Sequence, residues 1–131
     1  MKIGFIGLGR MGQGIAGRVL QGGYELTGYN RTREKAAALE KAGARVADSI
    51  AQACAGRDIV MTMLADDAAL RQVALGAGGI VASLPKGAIH MVMGTHGVDI
   101  VRELTQAHAS AGQVLVAAPV LGRPDVAASG Q

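Results

Sequence analysis

The sequence predicts an α/β fold, a doubly wound parallel sheet of about six strands with helices on both faces. Three observations carry that expectation. Short apolar runs alternate with segments whose apolar residues recur at helical spacing, from the first residues to Ala117. The apolar run 3–6 breaks into Gly7-Leu8-Gly9-Arg10-Met11-Gly12, a glycine turn placed between a strand and a helix. The run 57–64 is apolar almost throughout, as a strand covered on both faces is.

Each element follows in order. After the first strand, Met11, Ile15, Val19 and Leu20 share one face of a helix that Gly22 and Gly23 stop. Residues 24–29 read as a second strand, and Asn30-Arg31-Thr32-Arg33 as the turn out of it. One helix over 34–42, closed by Gly43, leads to a short third strand at 44–47. Asp48 or Ser49 caps a short helix through Ala55. The fourth strand, 57–64, is expected to be buried on both faces, and Asp66 and Asp67 cap a helix through Leu75. Residues 76–83 are a glycine-rich loop with one helical turn. A fifth strand at 87–93, a helix over 98–111 with Ile100, Val101 and Leu104 on one face, and a sixth strand at 113–117 complete the alternation. Right-handed crossovers then make 1–117 one domain, with ligand expected at the carboxyl ends of its strands.

Composition narrows the function. Half of the 131 residues are hydrophobic, enough for one domain with a real core. Phe5, Tyr24 and Tyr29 are the only aromatic residues, which argues against nucleic-acid modules that stack bases. The net charge of +3 is spread along the chain, with Arg31, Arg33 and Lys35 its one cluster, so no nucleic-acid partner is expected. A single cysteine, Cys54, cannot make an internal disulfide and suits a reducing compartment, as a small buried hydrophobe. With no signal peptide and no membrane-spanning run, the expected location is the cytoplasm. His90, His96, His108 and Cys54 lack the spacing of a metal site, and no G-x-S-x-G elbow is present.

The glycine turn carries the chemistry. G-x-G-x-x-G between strand and helix is the arrangement that binds a dinucleotide. Gly7 allows the turn, Gly9 lets the backbone approach a pyrophosphate, and Gly12 lets helix and strand pack closely. Leu8, Arg10 and Met11 complete the loop, and the helix N-terminus offers free N–H groups to the phosphates. A glycine-rich connection holding no ligand is the alternative. An NAD site places an acidic residue at the end of the second strand; here Asn30, Arg31 and Thr32 stand there instead. A guanidinium pairs with a 2′-phosphate that a carboxylate would repel, and Thr32 adds a hydroxyl donor. The expected cofactor is therefore NADP(H) in preference to NAD(H). On the alternative reading, Asn30 is a turn residue, Thr32 an N-cap and the arginines merely solvated.

Residues 4–12, then Gly28-Tyr29-Asn30-Arg31-Thr32, then Met63-Leu64 after the fourth strand, resemble the β-hydroxyacid dehydrogenase family. That family includes 3-hydroxyisobutyrate dehydrogenase, 6-phosphogluconate dehydrogenase and, more distantly, imine reductases. The resemblance spans nearly the whole chain and implies a Rossmann-type domain serving hydride transfer between NAD(P)H and a small carbonyl or hydroxy-acid substrate. It implies that Asn30, Arg31 and Thr32 meet the 2′-phosphate and that Leu64 and Ala65 line the nicotinamide side; Thr95 is a further candidate cofactor contact.

Two stretches depart from the family pattern. Where members carry D-x-S-T-x-x-P, this chain reads Val92-Met93-Gly94-Thr95-His96-Gly97-Val98, so Thr95 is kept while Gly94 replaces the substrate-holding serine. Where members carry D-A-P-V-S-G-G, it reads Ala117-Ala118-Pro119-Val120-Leu121-Gly122-Arg123. Thr95, His96, Gly122 and Arg123 are the candidate substrate contacts; Arg123 either replaces lost anion contacts or is a surface residue. Neither His96 nor His108 shows a clear partner in the sequence; a capping or surface role is expected for His96, and structural roles for His90 and His108.

The family's proton-transferring lysine and its helical second domain have no counterpart among these 131 residues. The expectation is a dinucleotide-binding domain at 1–117, then 118–131 as the start of a substrate loop leading to a helical C-terminal domain. That domain would form a homodimer or homotetramer, and the catalytic lysine would lie beyond Gln131. The 131-residue segment would be inactive alone. A stand-alone nucleotide-binding or redox-sensing module without catalysis is the competing reading, and a ligand-free structural domain a third.

Overall fold

A computed structural model describes residues 1–119. Strands β1 (Lys2–Ile6), β2 (Glu25–Tyr29), β3 (Arg45–Val46), β4 (Ile59–Thr62), β5 (Ile89–Val92) and β6 (Val114–Ala117) form one parallel sheet in the order β3-β2-β1-β4-β5-β6. Helices α1 (Arg10–Gln21), α2 (Ala37–Lys41), α3 (Ile50–Cys54), α4 (Asp67–Leu75), α5 (Ile80–Ser83) and α6 (Val98–Ser110) connect them. The fold is the expected Rossmann-type one. The chain's first strand lies inside the sheet, and the strand order reverses between β1 and β4.

The alternation along β1 shows how the two faces are built. Ile3 and Phe5 pack with Leu8, Ala16, Leu26 and Leu39 under α1 and α2. Ile6 points the other way, into Val60, Ala53, Cys54 and Ile80 of β4, α3 and α5. A third cluster joins α4 and α6 to that same face, through Leu70, Val92, Ile100 and Leu104. Each fully buried Leu, Ile, Val or Phe among them stabilises the fold by about 1.5–3 kcal/mol.

Two elements differ from expectation. The single helix at 34–42 is a 3-10 turn, Arg33–Ala36, followed by the short α2. Asn30 Nδ2 donates to the Thr32 carbonyl at 3.0 Å and the Lys35 N–H donates to the same carbonyl at 3.2 Å, which winds the first turn tightly. The fourth strand is half the expected length, because residues at both ends of 57–64 are used otherwise. Arg57 reaches Thr27 Oγ1 at 2.8 Å, Asp58 accepts from the Lys2 N–H at 2.8 Å, and Met63 and Leu64 turn over the glycine loop. Within β4, Val60 and Thr62 are buried while Ile59 and Met61 are half-buried, so burial is not complete on both faces.

His108 does have partners, contrary to the sequence reading. Gln113 Nε2 donates to the carbonyls of Val81 (3.0 Å) and Leu84 (2.6 Å), so its Oε1 accepts from His108 Nδ1 at 2.7 Å. His108 Nε2 then accepts from His90 Nδ1 at 2.9 Å, and His90 Nε2 accepts from the Thr62 hydroxyl at 3.0 Å. Every polar atom of this buried chain is matched only when both rings are neutral. Burial, reinforced by His108 and His96, pushes His90 down to about 3; burial also lowers His108, against an opposing bond from Gln113.

Candidate nucleotide site

The carboxyl ends of β1, β2 and β4 open on a cavity of about 520 Å³ at the point where strand order reverses. Gly7, Asn30, Arg31 and Leu64, all singled out by sequence, line it together. Ile50, at the start of α3, and Ala69, Gln72 and Val73, on one face of α4, line it as well and were not foreseen. The only sequence signal for the latter three is their i, i+3, i+4 spacing behind the Asp66 cap.

The three glycines of the turn are glycine for different reasons. Gly7 has φ +99°, and a Cβ there would strike the Met63 carbonyl; its N–H donates to the Tyr29 carbonyl at 3.1 Å. A Cβ on Gly12 would strike the Gly7 carbonyl. Gly9 is unlike both. Its φ of −69° suits any residue, and nothing lies within 4 Å of where its Cβ would be. The fold therefore demands glycine at 7 and 12 but not at 9.

Above Gly9 the first amides of α1 are free. The first bond of the helix runs from the Gln13 N–H to the Gly9 carbonyl at 2.8 Å, and the N–H groups of Gly9, Arg10 and Met11 have no acceptor among the described residues. Free amides at the positive end of a helix dipole make an anion site. The Leu8 N–H is not available to one: it donates to Asn30 Oδ1 at 2.7 Å, while Gln13 Nε2 donates to the Leu8 carbonyl at 2.8 Å. Asn30 thus ties the glycine turn to the exit of β2, with both ends of its amide used.

Arg31, which lines the cavity, and Thr32, which follows it outside that lining, are exposed and make no side-chain bond among the described residues. Arg33, by contrast, is committed to Asp48 Oδ1 at 2.6 Å and Glu40 Oε2 at 3.9 Å. Of the basic cluster, Arg31 is the guanidinium left open toward the cavity.

On the other side of the switch point, Leu64 is half-buried while Ala65 and Thr95 are exposed. His96 corrects the sequence reading: its side chain is 1% exposed and has a partner. His96 Nδ1 donates to Asp67 Oδ1 at 2.8 Å, and the Gly97 N–H reaches both Asp67 oxygens at 3.3 Å. The hydrogen bond from His96 is the main reason the Asp67 carboxyl lies below its usual range, ahead of the Gly97 amide and the charges of His96 and Arg71, which together outweigh desolvation. The imidazole can fold inward because residue 94 has no side chain. A Cβ on Gly94 would stand 2.7 Å from His96 Nε2 and 2.8 Å from the Leu64 carbonyl. Gly122 and Arg123 lie outside the described residues.

Cys54 is buried, and desolvation, partly offset by Arg57, pushes its thiol up to about 12, which leaves it no nucleophile. Among the described residues no three His, Cys, Asp or Glu side chains gather as a metal site would need, and no helix is long and apolar enough to cross a membrane.

Comparison with known proteins agrees with this geometry. The sequence matches the family described as the NAD binding domain of 6-phosphogluconate dehydrogenase over residues 2–131. It is 52% identical over 128 residues to the uncharacterized oxidoreductase YfjR of Bacillus subtilis, covering 98% of this chain and 45% of that one. The chain therefore spans less than half the length of that relative. The crystal structure of 3-hydroxyisobutyrate dehydrogenase (ygbJ) from Salmonella typhimurium superposes with a TM-score of 0.93 at 27% identity, over 100% of this chain and 46% of the other. The imine reductase from Myxococcus stipitatus in complex with NADP+ does so at 0.89 and 26%, over 96% and 43%. Matched over nearly its whole length and superposing on solved 3-hydroxyisobutyrate dehydrogenase and imine reductase structures, the chain belongs to the family of the 6-phosphogluconate dehydrogenase NAD-binding domain.

Proposed function

We propose that this chain holds NADP(H) in preference to NAD(H), as the nucleotide-binding part of an oxidoreductase acting on a small carbonyl, hydroxy-acid or imine compound. The observation that carries the reading is Gly9, a glycine that no atom of the protein requires. A side chain there would stand over the loop, in the space that a pyrophosphate on the free amides beside it would fill. The residues fit the cofactor in three places. Gly9, Arg10 and Met11 present their N–H groups to the diphosphate, on a loop that Gly7, Leu8 and Gly12 shape. Arg31 and Thr32 meet the 2′-phosphate, with Asn30 holding the turn that presents them. Leu64, Ala65 and Thr95 bound the nicotinamide half, whose bound ring supplies the hydride.

In this reading residues 1–117 are the dinucleotide domain, and 118–131 begin the substrate loop toward a helical domain through which the full protein would form a homodimer or homotetramer. Thr95, Gly122 and Arg123 are the candidate substrate contacts, whereas His96, turned inward onto Asp67, is not among them; the general acid is a lysine outside these residues. The protein works in a reducing cytoplasm, where Cys54 remains a thiol.

Titration calorimetry of the chain with NADPH and NADH, repeated on Arg31→Ala, tests the proposal. NADPH is expected to bind at least about tenfold tighter, a difference near 1.4 kcal/mol, and the substitution to erase it. A preference for NADH, or one that survives loss of Arg31, would overturn the NADP assignment. No binding of either nucleotide would favour the ligand-free domain.

A further inference from the structure

The loop after β1 and the turn after β2 are separate stretches of chain, and one side chain joins them. Asn30 Oδ1 accepts from the Leu8 N–H at 2.7 Å, and Asn30 Nδ2 donates to the Thr32 carbonyl at 3.0 Å. One backbone partner is a donor and the other an acceptor, so only one orientation of the amide satisfies both.

Little else holds the loop. Among the described residues, the Gly7 N–H is fixed on the Tyr29 carbonyl at 3.1 Å, and the Gln13 N–H closes on the Gly9 carbonyl at 2.8 Å. Between these points the backbone groups of Leu8 are held by side chains, its N–H by Asn30 and its carbonyl by Gln13 Nε2 at 2.8 Å. The Leu8 carbonyl and the Gly9 N–H share one peptide plane, so whatever steadies Leu8 aims the free Gly9 amide. At its other end the Asn30 amide closes a ring around Arg31, through a Thr32 carbonyl that also accepts from the Lys35 N–H at 3.2 Å.

We infer that Asn30 couples the two phosphate subsites. A 2′-phosphate that steadies the Arg31–Thr32 turn also steadies the diphosphate loop, through the Thr32 carbonyl, the Asn30 amide and the Leu8 N–H in series. The inference rests on the nucleotide reading above. Asn30 is thus a positioning residue for the diphosphate as well as for the turn. Part of the NADP(H) preference that Arg31 recruits is expressed at the loop, as a more ordered set of amides.

Two probes separate the subsites: ADP, which has no 2′-phosphate, and adenosine 2′-monophosphate, which has no diphosphate. In the wild-type chain, adenosine 2′-monophosphate should slow hydrogen exchange of the Leu8 amide read by NMR, and adenosine should leave it unchanged. Asn30→Ala should weaken each probe about three- to tenfold in calorimetry and remove the effect on Leu8. Asn30→Asp keeps the acceptor for the Leu8 N–H but loses the donor to the Thr32 carbonyl. It should restore ADP affinity while adenosine 2′-monophosphate stays weak. Where Asn30→Ala fails to fold, that split decides alone, since a merely structural role would weaken both probes alike. Normal ADP binding by Asn30→Ala, or a Leu8 amide that adenosine 2′-monophosphate does not protect, would overturn the coupling while leaving nucleotide binding intact. A wild-type chain that binds neither NADPH nor ADP would overturn both.

Discussion

At the scale of single residues, the glycine turn separates what folding demands from what binding demands. Gly12→Ala puts a methyl into the Gly7 carbonyl and should lower thermal stability by about 1–3 kcal/mol, as overpacking does. Gly9→Ala meets open space and should leave the melting temperature unchanged or slightly raised, yet weaken NADPH in calorimetry. If the two variants behaved alike, Gly9 would have no ligand above it. The buried histidines give a pH prediction of definite sign. His90 is neutral in the fold, held down to about 3, whereas unfolded it takes a proton near its ordinary 6.5. The unfolded state therefore binds more protons as pH falls. Stability should be complete above about pH 6.5 and decline toward pH 3, by up to about 1.4 kcal/mol per pH unit for each such ring. Urea midpoints measured across pH 7 to 4 read this; a flat profile would mean that the rings are not held neutral. The glycine spacing made Gly7, Gly9 and Gly12 legible in the sequence. The His90–His108 pair was not, because it depends on β5 and α6 packing side by side, a contact between distant segments that periodicity does not encode.

At the scale of elements, helix starts were legible wherever a short polar side chain precedes an apolar period. Ser49 Oγ accepts from the Gln52 N–H at 3.1 Å and Asp66 Oδ1 from the Ala69 N–H at 2.7 Å, as cap residues do. Asp66→Ala should cost about 1 kcal/mol in denaturant unfolding. Because α4 lines the cavity with Ala69, Gln72 and Val73, the same substitution should also weaken nucleotide binding modestly. The segment after Thr32 was misread as one helix because its composition favours helix throughout; the side-chain bond from Asn30 that shortens its first turn leaves no mark in the period. The overlong fourth strand has a similar origin. Apolarity marks what is buried: Leu64 covers the glycine loop and the cavity, and Met63, whose N–H still donates to the Ile6 carbonyl at 3.0 Å, packs on the α1 face beyond the strand's end.

For the molecule as a whole, the two sheet faces are unequally covered. Cα pairing sets Ile59, Ile89 and Val114 in one row and Met61, Met91 and Val116 in the next, all on the side of α1. Toward β6 that side lies open, with Val114 51% and Val116 37% exposed. An apolar strip of this kind at a sheet edge invites association. Val114→Lys together with Val116→Lys should lower any concentration-dependent association seen by sedimentation while leaving the melting temperature nearly unchanged. The parallel, doubly wound sheet was legible from alternation and the glycine turn, while its strand order was read only from the structure. What covers the open face was not, because nothing in a strand's own pattern names its partner.

The central place of β1 has a consequence for synthesis. Within this sequence β1 is made before both of its sheet neighbours, and those neighbours arrive at different times. Lys2–Ile6 can pair with β2 once Glu25–Tyr29 is made, yet its other edge waits for Ile59–Thr62. A nascent chain between those lengths holds half a sheet with one open edge and a glycine turn already shaped by the Tyr29 and Asn30 contacts, so the anion-binding amides are assembled before the sheet is closed.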